Sequence, residues 1–153
     1  MSMNKLLFIC TALASIVVAH SFGQSGSEID ELLGNGEVTA AIAARFVLPA
    51  ADILPADTKA EPAFAAALEK GWLPAETIPG SPIKLSTLSF LVMKAFGLPG
   101  GAMYRISSSP RYAYRELLYL KIIQGISDPS QTVSGERLMR ILGRALDYAG
   151  GES

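Results

Sequence analysis

The sequence predicts an all-α protein assembled from tandem helix-loop-helix units. Three observations predict it. Apolar residues recur at spacings of three and four, turn-forming residues punctuate those runs, and the pattern of residues 109–146 recurs upstream.

The clearest unit is the last. Ser109 is a good N-cap and Pro110 suits the first helical position, where its missing N–H leaves no bond unmade. Ala113, Leu117 and Leu120 then share a face, while Arg111, Arg115 and Lys121 fall largely on others. Gly125 is placed to end that helix, and Asp128-Pro129-Ser130 has the composition of a turn. Thr132 or Ser134 can cap a second helix striped by Leu138, Ile141, Leu142 and Ala145, with Glu136 favourably placed in its first turn. Arg137, Arg140 and Arg144 share a basic face.

The middle unit repeats this layout. Pro62 opens a helix through Phe64, Ala67 and Leu68 to Gly71, and a loop follows from Trp72 to Pro82. A second helix is expected from Ile83 to Phe96, capped by Ser86. Setting Ile83 against Val133 pairs Leu88 with Leu138, Leu91 with Ile141, Lys94 with Arg144 and Ala95 with Ala145. A weaker copy runs from Val38 to Val47, preceded by Ile29 to Leu33 as a shortened first helix. Self-similarity at a period of roughly 50 residues implies supersecondary units that bury their apolar faces against one another.

This layout resembles the S-layer homology domain, whose repeats run helix, glycine-containing loop and helix, ending in a pattern seen here as Leu142-Gly143-Arg144-Ala145-Leu146. The resemblance covers about residues 35 to 148 and is best in the last repeat. It implies three repeats in a pseudo-threefold bundle, with the first repeat truncated, and grooves between repeats that hold cell-wall polysaccharide. The family's threonine, arginine, alanine, glutamate signature falls on Ser134-Gly135-Glu136-Arg137, Lys84-Leu85-Ser86-Thr87 and Thr39-Ala40-Ala41-Ile42, so its polymer-contacting arginine is absent from all three repeats. Within that resemblance the chain looks most like a divergent envelope protein of the sort carried by double-membraned bacteria such as spirochaetes.

The start of the chain sets the expected compartment. Lys5 precedes an apolar run from Leu6 to Ala19, and small residues follow at Ala19-His20-Ser21 and Ser21-Phe22-Gly23. This is the layout of a secretory signal over residues 1–23. At about 14 residues the run falls short of the roughly 20 that span a bilayer core. Cys10 does not read as a lipidation site, because Phe8-Ile9 lacks the small residue such cleavage prefers. The organisation expected is a signal at 1–23, a short segment at 24–34, a helical domain at 35–148 and a frayed tail at 149–153. Within the domain a weak repeat lies near 29–50, and fuller repeats cover 52–98 and 105–148.

Signal removal would take with it the only cysteine, Cys10, and the only histidine, His20. Disulfides, thiolate nucleophiles, histidine-based triads and the usual zinc sites then have no residues to build them. Glu116 and Asp128 are the carboxylates that could be set against each other for glycoside hydrolysis, a chemistry that depends on their separation. The expectation is a non-enzymatic protein with no cofactor and no metal.

Charge is balanced in total and segregated along the chain. Residues 24–83 hold three basic against nine acidic residues, and residues 84–153 hold nine basic against five acidic. Attraction between the halves explains part of this. A basic C-terminal face for an acidic envelope polymer is the sharper reading, and nucleic acid does not suit an exported chain with a net charge of −1. Four of the five tyrosines lie between Tyr104 and Lys121, interleaved with Arg105, Arg111 and Arg115. Tyr112 and Tyr119, seven apart, are expected on one inward face, and Tyr114 has Leu117 and Leu118 within reach, so that Tyr112 or Tyr114 is either a core ring or a contact platform. Aromatic rings pack on sugar faces and guanidinium groups pair with carboxylates or phosphates. The candidate ligand-binding residues are therefore Arg111, Tyr112, Tyr114, Arg115, Arg137 and Trp72. The function expected is an exported periplasmic or cell-surface module that binds peptidoglycan or an anionic wall polysaccharide. The alternative is an assembly subunit whose partner is another envelope protein, with oligomerisation open, and an unrecognised hydrolase stands third.

Overall fold

The computed structural model describes residues 26–125 and 127–151. The expected signal at 1–23, with Cys10 and His20, lies outside the described residues. The chain divides into two compact units, one ending at Gly34 and one beginning at Asn35. In the first, residues 26–34 are helical and form α1. The second contains α2 (Ala40–Ala50), α3 (Ala60–Glu69), α4 (Leu85–Ala95), α5 (Ala102–Ile106), α6 (Pro110–Tyr119) and α7 (Gly135–Gly151). Two isolated β-bridges, Thr39 to Pro82 and Lys84 to Thr132, are the only strand-like pairings among the described residues. The protein is all-α, and none of its described helices is long and apolar enough to cross a membrane.

Helix α4 is the centre of the second unit. Leu85, Leu88, Leu91 and Val92 are fully enclosed, and the helix packs on α2 and α6. Its one buried polar side chain, Ser89, donates to the Leu85 carbonyl at 2.6 Å, so this hydroxyl is met within its own helix. Burial all round explains the strongly apolar sequence of this segment. Helix α2 brings Ala40, Ala43 and Ala44 to the core with no exposed surface, and such small side chains let it lie close to its neighbours.

Three helix starts are tied to one another by backbone hydrogen bonds. At the start of α2, Ala40 N–H donates to Ser81 and Ala41 N–H to Pro79, both in the loop before α4. At the start of α4, Leu85 N–H donates to Gln131 and Ser86 N–H to Pro129, in the loop before α7. At the start of α7, Gly135 N–H donates back to Asn35, just ahead of α2, at 3.0 Å. Val38, Ile83 and Val133, the residues that the repeat places in register, are all buried there. Ile83 N–H donates to the Val38 carbonyl and Val38 N–H to that of Val133. Glu37 accepts a further bond from the Thr132 hydroxyl at 2.8 Å.

This arrangement corrects the expected capping. Ser86 does not cap α4, which begins one residue earlier behind Lys84 with no side-chain cap, because loop carbonyls already meet the first two free N–H groups. Thr39 and Ser134 do act as side-chain caps, accepting from Ile42 and Arg137 N–H at 3.3 Å each. Helix α3 starts at Ala60 rather than Pro62, and a proline in the first turn is tolerated because those N–H groups have no helical acceptor. Helix α7 continues to Gly151, so Ala149 and Gly150 are helical rather than frayed tail. Helix α5 was not expected at all.

The helix ends share one design. In α2, α3, α4 and α6 the chain turns through a left-handed residue, Asp52, Gly71, Gly97 and Lys121 respectively. The next N–H reaches back to the same carbonyl in each helix, as from Ile53 to Leu48, Trp72 to Ala67, Leu98 to Met93 and Ile122 to Leu117. Gly125, also left-handed, lies in the following loop and does not end α6 as expected. Lys121 thus holds at φ 59° the position where the middle repeat has Gly71. Lys121→Gly is expected to raise stability by about 0.5–1 kcal/mol, a gain that relief of the left-handed strain leaves after glycine's entropy loss. Chemical denaturation of the two proteins checks this, and an unchanged or lower midpoint contradicts it.

Candidate functional site

Helix α6 carries the candidate site. Its inner face is fixed by Ala113, Tyr114 and Leu117, all buried, and this leaves Arg111, Arg115 and Tyr119 outward at i, i+4 and i+8. The three span about 12 Å along the helix axis. Arg111 and Arg115 pair with no carboxylate among the described residues. Tyr119 is 82% exposed, so its ring is free to stack on a flat ligand. Lys121, also exposed, follows at the end of the helix.

The other candidate residues are placed differently. Tyr114 is not a contact platform. It is 7% exposed, and its hydroxyl bonds the Ser127 carbonyl at 2.8 Å and lies 2.9 Å from the Ser127 hydroxyl, pinning the loop after α6. Tyr114→Phe is expected to cost about 1 kcal/mol, the net worth of a hydrogen bond, without touching the outer face of α6. A thermal midpoint equal to that of the wild type contradicts this role. Tyr112 is half-buried, and Tyr119 is not inward with it as the seven-residue spacing suggested. That spacing turns the helix by about 20° short of two full turns, so both residues lie near a boundary that burial alone decides. Arg137 is half-buried and donates to Gln131 Oε1 at 3.1 Å. Arg140 pairs with Glu136 at 3.5 Å and Arg144 donates to the Ile122 carbonyl, so the basic face of α7 is largely engaged within the fold. Trp72 is half-buried in the middle repeat, with Lys70 Nζ 5.2 Å from its ring centroid.

Of the carboxylates considered for hydrolysis, Asp128 is engaged in its own turn. Asp128 Oδ1 accepts from Ser130 N–H at 2.7 Å and from the Ser130 hydroxyl at 2.6 Å, and these bonds hold its pKa below the usual value. It closes the turn that the sequence suggested. Glu116 lies against Gly101, where an added Cβ would sit 2.9 Å from Oε1. Among the described residues no group of three or more histidine, cysteine or carboxylate side chains converges as a metal site would require.

A second polar feature lies where α4, α5 and α6 meet. Tyr104 packs edge-on to Phe90 with ring centroids 6.5 Å apart, and Lys94 Nζ sits 5.4 Å from the Phe90 centroid and 5.7 Å from that of Tyr104. The Tyr104 hydroxyl is buried with no hydrogen-bond partner. Burial raises its pKa; the nearby Ser108 side chain acts the other way without reaching hydrogen-bond geometry, and the charge of Glu116 adds to the rise. The sign of the linkage follows. The unfolded chain ionises Tyr104 first, so its contribution is intact below about pH 10 and is lost as pH rises through the higher folded value. Tyr104→Phe is expected to flatten the fall in stability as pH rises above about 10, and a slope identical to the wild type contradicts that.

The chain matches no protein-family model, no curated protein sequence and no solved structure.

Proposed function

We propose that this chain is an exported, non-catalytic binding module of the cell envelope that holds an anionic wall polysaccharide or peptidoglycan on the outer face of α6. The observation that carries the reading is the line of Arg111, Arg115 and Tyr119, two cations without carboxylate partners beside an exposed ring. Cations of this kind pair with carboxylates or phosphates, while the ring supplies stacking area for sugar. Lys5 and the apolar run to Ala19 support export to the periplasm or cell surface.

The proposed architecture is a divergent S-layer-homology-like bundle, three repeats about a pseudo-threefold axis with the first repeat shortened. What supports it is the relay of hydrogen bonds from α2 to the loop of α4, from α4 to that of α7, and from α7 back to Asn35. The matching left-handed residues Asp52 with Gly97, and Gly71 with Lys121, support the same register.

A second reading, an assembly subunit of an envelope complex, is favoured by Met103 and Ile106. They are 61% and 82% exposed, two large apolar side chains presented to water by one five-residue helix. Photo-crosslinking from position 119 in intact cells separates the two. Glycan attached to the crosslinked product is the expected result; a discrete protein adduct insensitive to glycan-degrading enzymes would overturn the polymer reading in favour of the assembly one.

A further inference from the structure

The cleft at the junction of α4, α5 and α6 has a volume of about 530 Å³ and is lined by Lys94, Leu98, Pro99, Gly100, Tyr104, Arg105 and Ser108. Three features set it apart from an ordinary surface depression. Its lining carries two cations and no carboxylate; Glu116, behind Gly101, is near enough to act on Tyr104 but is not part of the wall. Neither Lys94 nor Arg105 has a carboxylate partner among the described residues. Tyr104, 7% exposed, keeps a buried hydroxyl with no hydrogen bond, a state that natural structures rarely leave without a use.

The backbone is shaped around these groups. A Cβ at Gly100 would overlap the Tyr104 ring, so glycine there is what lets the α4–α5 connection lie on that ring at the edge of the cleft. Lys94 is held in place by the faces of Phe90 and Tyr104 rather than by an anion of the protein. The donors thus come from three successive parts of the chain: the ammonium from α4, the guanidinium and phenol from α5, and the Ser108 hydroxyl from the α5–α6 link.

From this we infer that the α4–α5–α6 cleft is a phosphate-ester subsite, with Lys94 and Arg105 supplying charge and the Tyr104 and Ser108 hydroxyls completing the set of donors. A planar carboxylate presents two oxygens in one plane, whereas a phosphate group presents three or four in a tetrahedron and suits donors converging from separate elements. The ester can belong to a phosphate-bearing wall polymer or to a lipid headgroup; the site reads the shared phosphate. It does not rest on the α6 stripe, and either site can fail without the other.

Calorimetric titration of the full chain with glycerol 1-phosphate and with acetate tests the inference. Saturable binding of glycerol 1-phosphate, at least ten-fold tighter than acetate, is expected. Arg105→Ala should weaken it at least ten-fold, and Tyr104→Phe about five-fold with no loss of thermal stability. That last combination is the signature of a hydroxyl kept for a ligand, because a purely structural hydroxyl would alter stability and leave affinity alone. No saturable binding, acetate binding as tight as phosphate, or wild-type affinity in both variants would each overturn the site. Sedimentation with phosphatidylglycerol vesicles then assigns the source. Retention lost in Arg105→Ala supports a lipid phosphate, and glycerol 1-phosphate binding without vesicle retention supports a polymer or soluble ester.

Discussion

Leu88→Ala is expected to lower the unfolding free energy by about 3 kcal/mol, within the roughly 2–5 kcal/mol range for emptying a fully enclosed leucine site. Leu88 has no exposed surface and lies on α4, which packs on both α2 and α6. The loss of methyl and methylene groups removes transfer free energy, and the surrounding side chains cannot collapse freely because α4 is anchored at both ends. Its start is bonded to Gln131 and Pro129, and its end is closed by the Leu98 to Met93 bond. Against a total of about 5–15 kcal/mol for a domain of this size, such a loss is visible as a large fall in denaturation midpoint. Leu146→Ala is the control. Leu146 is 47% exposed on α7 and should change stability by less than about 1 kcal/mol. Equal effects at the two positions would contradict the central place given to α4.

The second large effect is on binding. Replacing Arg111 and Arg115 together with alanine is expected to weaken retention on wall polymer at least ten-fold while leaving stability within about 0.5 kcal/mol of the wild type. The separation follows from their surroundings, since both side chains are exposed and have no carboxylate within the fold whose charge would be stranded by their removal. An alanine pair also favours the helix slightly, because alanine has the best intrinsic propensity. Arg140→Ala makes a useful contrast, since Arg140 already pairs with Glu136 and should contribute little to either quantity. If the double variant bound as well as wild type, the α6 stripe would not be the contact surface.

The fold class was legible because its signals are local and redundant. The stripe of Leu138, Ile141, Leu142 and Ala145 is buried as its spacing implies, and the register that pairs Ile83 with Val133 reappears in the bonds around Val38. Helix ends were less legible. Ser86 looked like a cap, but the α4 N–H groups are met by carbonyls more than forty residues away, and no local rule anticipates that. Lys121 shows the same limit, because the left-handed position falls on a lysine where glycine would have announced it. Helix α5 is a single short turn after Gly100-Gly101, too brief to carry a periodic pattern.

The site was half legible. Arg111 and Arg115 stand out in the sequence by charge and spacing, and both are exposed on the outer face of α6. Tyr114 lies inward beside Leu117, one of the two readings its spacing allowed, whereas Tyr119 faces outward against expectation, since the sequence shows which residues share a face but not which face the core claims. Counting i, i+4 and i+8 from Arg111 reaches Tyr119, and that signal would have found it. The Tyr104 cleft had no sequence signature, because it depends on how Gly100 lies against a ring supplied by the next helix.

The most direct test of the account is sedimentation of the protein with sacculi purified from its own organism, before and after attached polymers are stripped, across a salt series. Retention at low salt that falls steeply as the Debye length shrinks from about 10 Å at 0.1 M to about 3 Å at 1 M, and that is lost with Arg111→Ala and Arg115→Ala, is the predicted result. Absence of retention at every salt concentration, on intact and stripped sacculi alike, would contradict it.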